Sequence, residues 1–272
     1  MICFLLITNL SNAQYSFFNS KVNWKELEKS IPINIKKEEI SKLADDLIIY
    51  LKGNKLLEKN FSNFHFLDYD MDGATEIVFC GDAGTTSKRT LIFKHDENGK
   101  YIKIFDKFGV IISVLQPDRI IPPTFVLKED PCCGDNNIIY QVYQLVFLGD
   151  KQEFQLATTY CTVRGTYVPS EFIRPFLVEL IADSPIRLTP TADDSIMNTD
   201  LNIKGNSIAN YPRKAKGFVI AKSTDKKGIS WFFILMVSNI EPTNSILHNS
   251  SNDNKKYFSI GWMNSMNTIK EQ

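Results

Sequence analysis

The chain has no net charge: 31 Lys and Arg stand against 31 Asp and Glu. That balance excludes the strongly basic surface of a nucleic-acid coat, so no nucleic-acid partner is expected. Histidine is scarce. His65, His95 and His248 are scattered and share no ligand spacing. There is no C-x-x-C pair and no Cys/His cluster of the kind that holds zinc. The chain also lacks G-x-S-x-G, H-E-x-x-H and G-x-x-x-x-G-K-[ST], so no catalytic residue is assigned. No run beyond the first residues is apolar over the roughly 20 positions a membrane helix needs. No repeat recurs at a solenoid period. What remains is substantial: 272 residues, 43% hydrophobic and 12% aromatic. Such a chain buries a core and is not a disordered polymer. Its length suits about two domains.

The N-terminus carries the first positive signal. Ile2 to Leu10 are almost all apolar and are followed by Ser11-Asn12-Ala13-Gln14. Small residues at Ser11 and Ala13 fit a signal-peptidase site, so residues 1–13 read as a secretory signal and Gln14 as the mature start. The protein is therefore expected to be exported, to the periplasm or the cell envelope. Of five Cys, Cys3 leaves with the signal. Cys80, Cys132, Cys133 and Cys161 remain, an even number in an oxidising compartment. Adjacent Cys132 and Cys133 point in different directions in most backbones. Two disulfides to Cys80 and Cys161 are expected, with the connectivity open.

The pattern then turns from helix to strand. Residues 22–52 read as helical. In Lys36–Lys52, Ile40, Leu43, Leu47 and Leu51 recur at spacings of three and four, which predicts one amphipathic helix ending near Gly53. From Phe64 onward, short β-branched and aromatic runs alternate with turn signals. They predict strands at 64–67, 76–80, 90–94, 101–105, 110–115, 124–127, 138–148 and 153–160. Asn98-Gly99, Phe108-Gly109 and Gly149-Asp150 mark turns between them. The fold class is mainly β, α+β overall. A boundary is expected near 181–187, giving a domain at 14–182 and another at 184–272.

The sharpest local motif runs from Asp68 to Glu76, with acids at Asp68, Asp70, Asp72 and Glu76 and a glycine at Gly73. A hard cation such as Ca²⁺ needs six to eight oxygens, and alternating acids on a tight loop supply them. Position 12 is Phe79, so the bidentate Glu of an EF-hand is missing. The strand–loop–strand setting resembles the calcium loops of FG-GAP/VCBS-type β-repeats. That resemblance implies a structural Ca²⁺ held by Asp68, Asp70, Asp72, the Ala74 carbonyl and Glu76.

The last third has its own order. Arg187-Leu188-Thr189-Pro190 opens it, Ile229-Ser230-Trp231-Phe232-Phe233-Ile234-Leu235 lies at its centre, and Gly261-Trp262 closes it. This order resembles a bacterial SH3 (SH3b) domain, interrupted by a polar insertion at 239–256. The resemblance implies a small β-barrel that binds cell-wall peptide or a protein partner, with Tyr211, Trp231 and Trp262 in its groove. The neutral chain also divides. From residue 182 onward 11 Lys/Arg face 8 Asp/Glu, a net of +3, which leaves −3 for the rest. The expectation is an exported, non-catalytic binding protein. Its rivals are an antagonist of a secreted toxin and a wall hydrolase whose site carries no known motif.

Overall fold

The computed structural model describes residues 18, 21–82, 88–115, 123–130, 136–148, 151–195, 197–199, 203–237, 240–247 and 257–271. Residues 1–13, Cys132, Cys133 and the turn at 149–150 lie outside them. Strand far outweighs helix in the described residues, so the protein is mainly β with a helical preface. Among them, no helix is long and apolar enough to cross a membrane. The chain forms two compact units. The helix-bearing unit comprises Lys21–Cys132 and Gln141–Ala157; the C-terminal unit comprises Met1–Ser20, Cys133–Tyr140 and Thr158–Gln272.

In the helix-bearing unit, a single turn α1 (Trp24–Leu27) is followed by α2 (Ile33–Lys42) and α3 (Asp46–Gly53). The single helix expected over 36–52 is thus two. Leu43 is extended, and the Asp45 side chain accepts from the Leu47 backbone N–H at 2.9 Å, capping α3. A cap at that position starts a new helix by satisfying a donor the helix leaves open. Lys103 Nζ holds the other Asp45 oxygen at 2.7 Å. The predicted apolar positions survive the break, since Ile40, Leu43, Leu47 and Leu51 are all buried.

Strands β1 (Phe64–Leu67), β2 (Glu76–Asp82), β3 (Lys88–His95) and β4 (Tyr101–Phe108) form an antiparallel sheet in that order. Strands β5 (Val110–Leu115) and β6 (Thr124–Glu129) pair antiparallel. Strands β7 (Asn137–Leu148) and β8 (Lys151–Val163) each contribute residues to both units. Alternation along β2 and β3 sends side chains to two faces. Ile77, Phe79 and Leu91 pack with Ile40, Ile48 and Leu51 of the helices. Val78 and Ile92 pack instead with Phe105, Ile111, Phe125 and Tyr143. Both faces are covered, which explains the nearly unbroken apolar run of β2. Gly99 at the β3–β4 turn has φ +73, the conformation Asn98-Gly99 announces.

The C-terminal unit contains β9 (Phe176–Leu180), β10 (Ser184–Arg187), the short pair β11 (Met197–Asn198) and β12 (Ile203–Lys204), and β13 (Ser207–Tyr211). β14 (Lys216–Thr224), β15 (Ser230–Met236), β16 (Asn244–Ser245), β17 (Phe258–Asn264) and β18 (Thr268–Lys270) complete it. Its main antiparallel order is β18-β9-β14-β15-β17. The boundary expected near 181–187 is therefore corrected. β9 lies before that point, yet it hydrogen-bonds to β14 and β18 beyond it, so residues from Thr158 belong to this unit. Arg187 on β10 is opposite Trp262 on β17 and is nearly buried, with its charge met by Asp194 at 2.7 Å and Asn206 at 2.9 Å.

Trp262 is wholly buried, packed 5.1 Å from Phe233 between ring centroids. Truncating such a ring removes its transfer energy and leaves a cavity, at a cost of about 3–5 kcal/mol. Trp262→Ala should lower stability by that amount in urea titration. A loss below about 1 kcal/mol would contradict its place in the core.

Candidate functional site

The three aromatic residues expected to line a groove are core residues. Tyr211 is 4% exposed, Trp231 1% and Trp262 0%. Each polar tip is satisfied inside the unit, as a buried Tyr or Trp requires. Tyr211 Oη hydrogen-bonds Ser259 Oγ at 2.9 Å, Trp231 Nε1 donates to Asp225 Oδ2 at 3.2 Å, and Trp262 Nε1 donates to the Tyr167 carbonyl at 2.7 Å. Rings sealed in this way do not form a groove wall. The groove expected from them is corrected to a packing role.

An open hollow of about 590 Å³ lies elsewhere in the C-terminal unit. Its apolar floor is Phe176, Val178 and Phe232, and its rim carries Arg174, Lys222 and Lys270. Register builds it. Lys222 and Phe232 are direct partners across the β14–β15 hairpin, and Lys270 is opposite Val178 across β18–β9. Phe176 and Phe232 meet edge to face at 5.7 Å. Lys222 Nζ sits 5.1 Å from the Phe176 centroid and 5.5 Å from that of Phe232; Lys270 Nζ sits 5.4 Å from Phe176. Two ammonium groups, from the strands on either side of β9, thus lie near one ring, within reach of cation–π attraction. Sequence reading missed these residues. The turn between β14 and β15, with Gly228 at φ +78, sets Lys222 opposite Phe232 by local register, but the β9 and β18 contributions come from non-local pairing.

The acidic loop of the helix-bearing unit joins β1 to β2. Gly73 has φ +92, the turn geometry expected of a glycine there. Oxygens of Asp68, Asp70 and Glu76 lie within 4.8 Å of one another, close enough to share a cation. Asp72 stands outside that group. It accepts from the Ala74 N–H at 2.8 Å and from Lys94 Nζ at 2.6 Å. The Ala74 carbonyl, expected as a ligand, accepts from Lys29 Nζ at 3.0 Å. Lys94 also reaches Asp70 at 2.5 Å and Gln152 at 2.7 Å, and Lys29 lies 3.4 Å from Asp68. The five expected ligands therefore resolve into a carboxylate trio, of which Asp68 and Asp70 also meet lysines, and two groups outside it.

Glu76 is the unusual member. It is 2% exposed; its Oε2 accepts from the Tyr69 N–H at 2.6 Å, while its Oε1 has no partner among the described residues. The buried Tyr69 hydroxyl is likewise unpartnered among them. Burial pushes the Glu76 carboxyl up to about 7, against the Tyr69 N–H, which lowers it. Asp72 is held below its usual range by the Lys94 hydrogen bond.

Cys80 is a thiol, which corrects the disulfide expected there. Its Sγ accepts from the Ile111 N–H at 3.2 Å and faces Thr90 Oγ1 at 3.7 Å, and burial pushes the thiol up. A protonated, enclosed thiol is inert. No disulfide joins Cys80 to Cys161.

The Glu76 shift has a direct consequence for stability. The folded protein holds this proton up to about pH 7, whereas an unfolded Glu releases it near 4.5. Stability should therefore fall as pH rises between those values and level off above. In metal-free buffer the fall should be on the order of 2–3 kcal/mol by linkage. Glu76→Gln should lack that component in urea titrations across the same range. Equal pH slopes for the two proteins would contradict it.

No family model, curated protein or solved structure matches this chain.

Proposed function

We propose that the protein is an exported, non-catalytic binding protein whose C-terminal unit engages peptide, in the cell wall or displayed by a protein partner. The observation that carries this reading is the open hollow of Phe176, Val178 and Phe232 rimmed by Arg174, Lys222 and Lys270. Its volume falls in the range of about 300–1,000 Å³ usual for ligand pockets, and an apolar floor with a few charged groups is the usual lining. The SH3-like resemblance of residues 184–272 supports the same class of function. Arg187 of the opening strand pairs with Trp262 of the closing strand, and the Trp231 strand lies between β14 and β17. Full-length protein should be retained on purified wall sacculi above a control protein of equal net charge. Retention no greater than the control would contradict the wall version.

The acidic loop favours a second element of this reading, a structural Ca²⁺. Four carboxylates with two ammonium groups carry a residual −2 when Glu76 is ionised, and its orphaned Oε1 is a hard oxygen, suited to such a cation. Asp68, Asp70 and Glu76 would hold the ion, which would fasten the β1–β2 loop. Lys94 would compete with it for Asp70. Calorimetry should give a saturable Ca²⁺ signal that Asp70→Asn abolishes. Lys94→Met should tighten binding about tenfold, because one opposing charge is gone. Identical traces for wild type and Asp70→Asn would end the proposal.

A further inference from the structure

We infer that the hollow on β9, β14, β15 and β18 is a carboxylate site that takes the free carboxyl end of a peptide with an apolar last side chain. The inference deepens the peptide-binding reading above and rests on it. Its first basis is charge. Arg174, Lys222 and Lys270 border one hollow, and none has an ion-pair partner among the described residues. Some cations of the molecule are matched, such as Lys94 with Asp70 and Asp72, Arg89 with Asp106 and Arg187 with Asp194, and others, such as Arg213 and Lys227, stand singly on the surface; these three are set apart by bordering one hollow.

The second basis is geometry. Lys222 and Lys270 come from different strands and both bring Nζ within 5.4 Å of the Phe176 centroid. Like charges gathered at one ring repel, and at physiological salt the screening length of about 8 Å does not separate them. A single anion placed among them relieves that repulsion. An extended acidic chain would call for cations strung along its length, not gathered at one ring. The exposed guanidinium of Arg174 can grip a carboxylate through two parallel N–H donors. The Ser265 hydroxyl also borders the hollow and can donate to the same group, whereas the Thr268 hydroxyl donates to the Ser265 carbonyl at 2.9 Å. The third basis is the floor. Phe176, Val178 and Phe232 offer an apolar seat beside the charge, which suits the side chain preceding a carboxyl end.

The test uses the full-length protein and N-acetyl-Ala-Ala-Phe, as the free acid and as the C-terminal amide, followed by amide NMR. The free acid should shift residues 174–178, 222, 232 and 268–270 saturably, and the amide should bind at least about tenfold more weakly. Arg174→Gln and Lys222→Gln should each weaken the acid about fivefold, with unchanged melting. Equal binding of acid and amide would overturn the inference and leave peptide binding standing. Inorganic phosphate displacing the acid at equal concentration would overturn it in favour of a general anion site. No saturable shift with either peptide would overturn it outright. Wall retention that persists in the Arg174→Gln, Lys222→Gln double variant would do so too, while sparing the function proposed above. Failure of the wild type to be retained on sacculi strikes at that function instead.

Discussion

Placement of counter-charge is the constraint on which both units depend. An ionised group enclosed by protein must find a partner or change its protonation. The helix-bearing unit meets this with lysines. Lys29 and Lys94 reach into the Asp68–Glu76 loop, and Lys103 secures Asp45 at the start of α3. Arg187 in the C-terminal unit is met by Asp194 and Asn206. Two places among the described residues stand apart, one buried and one at the surface. Glu76 leaves an oxygen without a donor, and the hollow leaves three cations without an anion. The functional proposals rest on those two imbalances, which have opposite sign.

Much of the fold could be read from local pattern. β1 and β5 have the predicted bounds, and the remaining strands through β8 lengthen by one to a few residues at their ends. Turn chemistry explains that success, since Gly99 and Gly109 take the positive φ that their positions demand. The helix break at Leu43–Asp45 was less visible. The apolar spacing runs through it unbroken, and only an aspartate able to cap marks the restart. The domain boundary escaped because β9 looks like the end of one unit and pairs with strands of the next. Such pairing is non-local and leaves no trace in composition.

The site residues divide in the same way. Asp68, Asp70 and Glu76 converge as their spacing on a tight loop implies. Lys94 and Lys29, which compete for the same oxygens, lie far along the chain and enter through the fold. Tyr211, Trp231 and Trp262 misled because a large aromatic near a polar loop can serve a core or a groove. Burial decided for the core. The hollow assembles from a hairpin that local counting resolves and from strands β9 and β18 that it does not.

The central claim is that recognition occurs at the cationic hollow of the C-terminal unit. Hydrogen-exchange mass spectrometry of the full-length protein, with and without soluble wall fragments, tests it most directly. The account predicts slowed exchange confined to segments 174–180, 218–224, 230–234 and 265–270. Protection centred elsewhere, or none at saturating ligand, would contradict it.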